Sequence, residues 1–318
     1  MEVSLAGISL KNNLIAASSP LTESVERLKC CEAAHFSAAI LKSCADYVPT
    51  GKDYGRRIVY VTDGYYADGS FESEILPIEK EVEMYCSARE ILASDFLLIP
   101  SVCALSLEPE NWITLCNEFN SLGAPLIQLD FFYLGNLPHD EAFYKKVSDL
   151  LIILKETLSC KIMPKINVCF DPDRIFSLIA ENGITTVSLL DSIREDPDEK
   201  YHLHKGATSF FGPRQLPYTL HYLKAAKRYG LEVCAGGGIS CRDDMEMLLR
   251  HGAEAIQVAS YILNRNYAYT RDLLLENYEY DNNALLEHNP WCDNLVPGKC
   301  NNCGGCAKHI MPSLGNNL

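Results

Sequence analysis

Three sets of residues carry reactive or ligand-binding side chains at informative spacing. The first is the turn Ala235-Gly236-Gly237-Gly238-Ile239. Glycines let a backbone approach an anion closely and expose its amide donors. Ser240 offers a helix N-cap, and Asp243 three residues on completes a capping-box pattern. A helix starting there suits a phosphate, although a tight turn between elements needs glycines too. The second set is Lys42 and Lys165, each inside an otherwise apolar run. A buried lysine is costly unless paired. One lysine reaching water from a strand end is ordinary, but two form a pattern. The third set is Cys292, Cys300, Cys303 and Cys306. C-x2-C-x2-C is the core of a ferredoxin-type motif, and Cys292 supplies a fourth thiolate for a [4Fe-4S] cluster. The run lacks the fourth cysteine followed by proline that ferredoxins show. A zinc site from the same cysteines, or with His309, is the alternative.

Such residues need elements to position them. Apolar runs recur at 14–19, 38–43, 97–104, 126–132, 162–168, 185–192, 232–238 and 255–260. Their near-continuous apolar character predicts strands buried on both faces. Helical periodicity separates most of them, at 23–35, 110–122, 141–158, 173–182, 217–229 and 243–251. Gly123, Gly183, Gly230 and Gly252 follow four of these as stops. The repeat predicts an α/β chain folded as one (β/α)₈ TIM barrel over residues 1–263. An open doubly wound sheet is the alternative, and the lack of an early G-x-G-x-x-G counts against it. In the barrel, the glycine turn falls between strands seven and eight, a common phosphate site.

Two segments interrupt the rhythm. Residues 44–90 are long for a βα loop and carry Tyr47, Tyr54, Tyr60, Tyr65 and Tyr66. Residues 193–216 form the second. Both follow strands, so both belong at the C-terminal face, as a substrate lid or as plain surface and oligomer contacts. Residues 264–318 form a C-terminal extension carrying the cysteine cluster at 292–306.

Composition bounds the function. The chain has 318 residues, 47% of them hydrophobic, enough for a large core. Forty-two acidic residues against 28 basic ones give a formal charge of −14. That surface repels phosphate backbones, so no nucleic-acid partner is expected. Met1 to Leu10 has no basic region followed by an apolar stretch, and no apolar run approaches the roughly 20 residues of a membrane span. A cytoplasmic protein without membrane contact is expected. Fourteen cysteines without a signal peptide do not indicate a disulfide scaffold. The ten in the first 241 residues read mostly as small buried apolar groups.

The stretch AGGGISCRDDMEMLLRHGAEAIQVASY, from Ala235 to Tyr261, resembles the FMN-phosphate segment of the dihydroorotate and dihydropyrimidine dehydrogenases. Asn12 to Ser19 resembles the first strand of that family, Ala39 to Ser43 the second, and Pro164-Lys165-Ile166 the fifth. The resemblance covers residues 3–263. It implies FMN, with Ala17 and Ser18 against the flavin, Lys42 and Ser43 contacting it, and Lys165 at its N1/O2 edge. It places the phosphate at Gly237, Gly238, Ala259 and Ser260. Asp130, Asp191, Ser192 and Gly212 complete the set around cofactor and substrate. A cation near N1 and O2 also makes electrostatic sense, because it stabilises the anionic reduced flavin.

The departures concern the substrate. Asp130 and Asp191 stand where the family has asparagines. Ionised aspartate only accepts hydrogen bonds, which moves recognition towards a ligand bearing donors or positive charge. The asparagine-rich loop that the family has after strand two has no clear counterpart in 60–80. Tyr133 occupies the place of the family's cysteine or serine base, and the loop through Asp140 has neither. Tyr133 and His139 are the proton donors available there, with Lys165 the third catalytic candidate. Tyrosine is a poor base at neutral pH but an adequate acid for a carbanion. The expected function is therefore an FMN-dependent oxidoreductase acting on a CH–CH or C=C bond of a small molecule other than dihydroorotate. Electrons pass through the tail cluster or an electron-transfer partner, and a homodimer is expected. The alternatives are a dihydroorotate or dihydropyrimidine dehydrogenase proper, a non-redox aldolase or isomerase using Lys165 as a Schiff base, or a flavin-binding subunit without acid–base chemistry.

Overall fold

The computed structural model describes residues 3–46, 57–68, 75–190, 192–195, 198–201 and 208–274. A hairpin of β1 (Val3–Leu5) and β2 (Ile8–Leu10) opens the chain. Its Leu5, Ala6 and Leu10 pack on Ile15, Ile40, Ile99, Leu126 and Met163 inside the barrel. Lys161 and Glu232, both at strand starts, bond the hairpin turn at Ala6, so the hairpin closes the N-terminal end.

The elements then follow in order. First come β3 (Leu14–Ala16), α1 (Val25–Ala33), β4 (Ala38–Ile40) and β5 (Cys44–Ala45). An inserted hairpin, β6 (Arg57–Val61) and β7 (Gly64–Asp68), precedes β8 (Leu76–Pro77) and α2 (Ile78–Ile91). Next are β9 (Leu97–Ile99), β10 (Ser101–Val102), α3 (Pro109–Ser121), β11 (Leu126–Asp130), α4 (Glu141–Thr157) and β12 (Lys161–Lys165). After α5 (Pro172–Glu181) and β13 (Thr186–Ser188) come β14 (Ile193–Arg194) and β15 (Thr208–Phe211). Then follow α6 (Leu216–Arg228), β16 (Glu232–Gly236), α7 (Arg242–Arg250) and β17 (Ala255–Val258). Two short helices, α8 (Ser260–Leu263) and α9 (Thr270–Leu273), end the described chain.

The large sheet runs β8-β5-β10-β11-β12-β13-β16-β17-β3-β4-β9 and is parallel throughout. β9 and β10 are halves of one strand parted by Pro100, which cannot donate to a ladder. The two ends of the sheet therefore meet, and it closes as a (β/α)₈ barrel. All eight expected strands are present. They are apolar because both faces are covered, and every residue of β3, β4, β11, β13 and β17 is buried. The expected helices lie within two residues of their anticipated bounds. In α4 the stripe Phe143, Val147, Leu150, Leu151 and Leu154 is buried.

Residues 44–90 are not one loop. Their last part is α2, the second helix of the barrel. Its buried face is Glu81, Met84, Tyr85 and Ala88. A carboxylate in that stripe hides the apolar period that would reveal the helix.

The rest of that segment joins the second insertion. β14, β15, β7 and β6 form one antiparallel four-stranded sheet. Tyr65 stacks on Phe211 with centroids 5.1 Å apart, and Tyr66 meets Phe210 edge-on at 5.3 Å. Arg214 ties both insertions together. It bonds Glu195 at 2.7 Å and the Tyr66 hydroxyl at 3.3 Å, lies 3.5 Å from Asp63, and covers the Phe210 ring at 3.8 Å. Gly212 is pressed against the Gly64 backbone at φ +138°, and a Cβ there would lie 2.7 Å from the Asp63 carbonyl. Arg214→Met is expected to speed amide exchange in 57–68 and 208–211 at least tenfold while leaving exchange in the barrel strands unchanged. Hydrogen-exchange mass spectrometry checks this; equal protection in both proteins would show that Arg214 does not fasten the sheet.

Beyond residue 263 the chain still packs on the barrel. Tyr267, Leu273 and Leu274 are buried, and Thr270 Oγ1 donates to the Ala34 carbonyl at 2.8 Å. Cys30, Cys31, Cys44, Cys103, Cys116 and Cys234 are buried free thiols. Among the described residues no helix is long and apolar enough to cross a membrane.

Candidate functional site

The C-terminal ends of the barrel strands gather a buried polar network. Ser43, just beyond β4, donates from Oγ to Asp130 Oδ2 at 2.6 Å. Its Oγ also lies 3.0 Å from Ser101 Oγ and 3.3 Å from Ser18 Oγ. Gln128 Nε2 donates to Ser101 at 2.9 Å. Asp130 ends β11 and stands opposite Lys165, which ends β12. Its Oδ1 also accepts the Phe132 amide at 3.2 Å, capping the turn Phe131–Asn136. Lys42, Ser43, Asp130 and Lys165 are all buried. Residues far apart in sequence thus meet at one barrel mouth, as barrel topology requires.

Next to this network the mouth is apolar. Ala45, Ile75, Cys103, Phe132 and Tyr133 form their own buried cluster, separate from the main core. The Arg194 guanidinium lies over the Phe132 ring at 5.1 Å. Cys103 follows β10 and donates weakly to the Cys44 carbonyl at 3.5 Å. Burial pushes its thiol well above the ordinary cysteine range. Asp130 and Asp46 push the same way, while Lys42 and Lys165 oppose them. The thiol is therefore protonated at neutral pH and within the field of the whole polar network. Sequence reasoning misses it, because a cysteine in an apolar run reads as core. Buried Asn167 escapes for a similar reason; its Nδ2 donates to the Ser192 carbonyl at 3.1 Å.

The glycine turn lies on the same face. β16 enters it at Gly236, where a Cβ would lie 2.6 Å from the Gln257 carbonyl. Gly237 and Gly238 have φ of +95° and +88°. At Gly238 a Cβ would overlap the Leu216 amide nitrogen and lie 2.8 Å from Leu216 Cα. The turn therefore abuts the start of α6. The N-cap of the following helix lies one residue later than the sequence suggests. Cys241 is the N-cap, so Asp244 rather than Asp243 is the capping carboxylate. It accepts from Ser240 N at 2.8 Å, Ser240 Oγ at 2.7 Å and Cys241 N at 3.2 Å. Ala259 and Ser260 open the short helix α8 after the eighth strand, and Ala17 and Ser18 follow the first. All four are half-buried along the rim.

Other expected residues have contacts of their own. His139 stacks on Phe170 at 4.8 Å, meets Phe143 at a tilt with the rings 4.5 Å apart, and its Nδ1 lies 2.9 Å from the Cys169 carbonyl. Gly212 serves the inserted sheet, and it is the adjoining Gln215–Leu216 that touch Gly238. Asp191 and Cys292, Cys300, Cys303 and Cys306 lie outside the described residues. Among the described residues no group of His, Cys, Asp or Glu is arranged to hold a metal ion.

No family model and no curated protein sequence matches the chain. Solved structures do. The crystal structure of DHODH in complex with ferulenol from Eimeria tenella superposes with a TM-score of 0.70 at 11% identity. The match covers 86% of this chain and 82% of that one. This likeness shows a shared barrel fold.

Proposed function

We propose that the chain is an FMN-dependent oxidoreductase that reduces a carbon–carbon double bond of a small molecule. The observation that carries this reading is the meeting, at one barrel mouth, of a positive-φ glycine turn and two buried lysines. The DHODH-like fold supports it at a coarse level.

The residues present fit FMN. The glycines leave a cradle that side chains would fill. With the short helix after strand eight, the cradle has the parts of a barrel phosphate site. Gly237, Gly238, Ala259 and Ser260 would hold the phosphate, and Ala17, Ser18, Lys42, Ser43 and Lys165 the ring system. Bound FMN supplies a two-electron hydride carrier. The chain supplies the rest. Lys165 offers fixed positive charge where negative charge develops. Asp130, together with Asp191 and Ser192 after the sixth strand, accepts hydrogen bonds from a donor-bearing substrate. Cys103 and Tyr133 hold protons beside the network, and burial keeps the Cys103 thiol an acid rather than a base.

Apo-protein titrated with FMN and with riboflavin tests the reading. FMN is expected to bind at least 100-fold more tightly, about 2.7 kcal/mol. Equal affinities would remove the phosphate role from the turn. The two acids separate in a further experiment, reoxidation of reduced holoprotein by an activated alkene. If Cys103 is the donor, Cys103→Ala slows this about 10²–10⁴-fold and Tyr133→Phe does not. The reverse pattern assigns the proton to Tyr133.

The aldolase reading rests on Lys165 alone, as a Schiff-base lysine. Borohydride trapping with substrate would reinstate it. The spacing of Cys292, Cys300, Cys303 and Cys306 supports a tail iron–sulfur cluster as the electron route, or a zinc site in its place. Iron and zinc analysis decides between them.

A further inference from the structure

Segment 192–195 leads from the sixth barrel strand into the inserted sheet, and three of its residues are anchored to three different elements. The Ser192 carbonyl accepts from Asn167 Nδ2, just beyond β12, at 3.1 Å. Glu195 accepts from the Tyr66 hydroxyl at 3.0 Å and from Arg214 at 2.7 Å. Its amide donates to the Thr208 carbonyl at 3.2 Å, which joins it to the inserted sheet. Arg194 on β14 lies between these anchors and reaches a third element, the turn Phe131–Asn136 after β11.

Arg194 Nη1 donates to Asn136 Oδ1, and the guanidinium covers the Phe132 ring at 5.1 Å. One side chain therefore grips the turn at its second residue and at its last. The start of the turn is held from the barrel side. The Phe132 amide donates to Asp130 Oδ1 at 3.2 Å, and the Phe131 ring meets Trp112 edge-on at 5.5 Å. Between the two grips of Arg194 lies Tyr133, buried, with its ring edge-on to Phe132 at 5.6 Å. A guanidinium suits the place because its flat face stacks on an aromatic ring while its N–H groups still bond an oxygen. Packing alone does not call for it. Phe132 and Tyr133 already have Ala45, Ile75 and Cys103 as apolar neighbours, and a leucine at 194 would cover the ring without a charge. What the arginine adds is a tie between the turn that carries Tyr133 and the segment that begins at Ser192.

We propose that Arg194 is a positioning residue that acts through Tyr133. It holds the Phe132–Tyr133 pair in the mouth and fastens it to the segment bearing Ser192 and to the inserted sheet. The effect on turnover rests on the flavin reading, with Tyr133 as the proton donor; the grip on the turn does not.

The test compares wild type with Arg194→Met, which removes the guanidinium and keeps an apolar stem. Without cofactor, amide exchange in 132–137 of the full chain is expected to speed up about tenfold, with β11 and β12 unchanged. Unchanged exchange in 132–137 overturns the proposal. With FMN bound, reoxidation of the reduced protein by an activated alkene is expected to show kcat about 10–100-fold lower and KM within about twofold, the mark of a displaced acid rather than a lost substrate contact. In a Tyr133→Phe background Arg194→Met should cost nothing further. Losses that multiply in the double variant overturn the proposal, because Arg194 then acts independently of Tyr133. A raised KM with unchanged kcat also overturns it and makes Arg194 a substrate contact. Asn136 is exposed, so Asn136→Ala removes the acceptor alone and takes the place of the arginine variant if that one fails to fold. A wild type that binds no FMN defeats the flavin reading and leaves the exchange measurement to decide the grip of Arg194 on the turn.

Discussion

Gly238→Ala should bind FMN at least 100-fold more weakly than the wild type and unfold at a lower temperature. Two costs combine at this position. A non-glycine residue at φ +88° carries about 1–2 kcal/mol of backbone strain. The new Cβ would also overlap the Leu216 backbone, which cannot swing away as a flexible side chain would. Relieving that overlap moves the glycine turn away from the start of α6. The strain and the displacement separate experimentally. Gly230 has φ +73°, and among the described residues no atom lies within 4 Å of the place a Cβ would take, so Gly230→Ala carries strain alone. It is expected to lose about 1 kcal/mol of stability and no FMN affinity. Thermal unfolding and fluorescence titration of both variants check this. Equal FMN affinity in the two would mean that the turn does not hold the phosphate.

Lys165→Met has the second largest expected effect. Lys165 is buried opposite Asp130, which accepts bonds from Ser43 and the Phe132 amide. Removing one of two opposite charges buried on neighbouring strand ends typically costs about 3–5 kcal/mol, because the other is left uncompensated. The variant should therefore unfold at a lower denaturant concentration than the wild type. Adding Asp130→Asn should restore stability without restoring the positive charge. The double variant is then expected to bind FMN but to reduce it at a lower potential than the wild type. Denaturant unfolding and a redox titration measure both parts. A double variant no more stable than the single one would contradict a compensating role of Lys165 beside Asp130.

Much of this arrangement can be read in the residues alone, for identifiable reasons. The eight strands announce themselves because burial on both faces makes them nearly all apolar. Helices such as α4 do so because one stripe is unbroken. The glycine turn stands out because positive φ restricts it to one residue type. What stays hidden depends on contacts between distant positions. Nothing local pairs β7 with β15, since register between strands so far apart in the chain is not written in either one. α2 is concealed by Glu81, a polar residue at a core position. Cys103 and Asn167 look like filler until closure of the barrel sets them beside Asp130, Lys42 and Ser192. The capping acid lies one residue beyond the expected Asp243 because Cys241, a poor capping type, is the N-cap.

Asp130 shows how a local and a long-range role can share one side chain. Its Oδ1 caps the turn after β11, which asparagine would do equally well. Its Oδ2 accepts from Ser43, and the residue is the register partner of Lys165 on the next strand. The cap alone does not select aspartate over asparagine, so the charge belongs to the site.

The most direct test of the central claim is an anaerobic absorption spectrum of the purified full-length chain, followed by denaturation and identification of the released chromophore. A flavin spectrum that bleaches on reduction, with FMN released at close to one per chain, is the predicted result. A colourless protein that releases no FMN, and takes none up when supplied with excess, would contradict it.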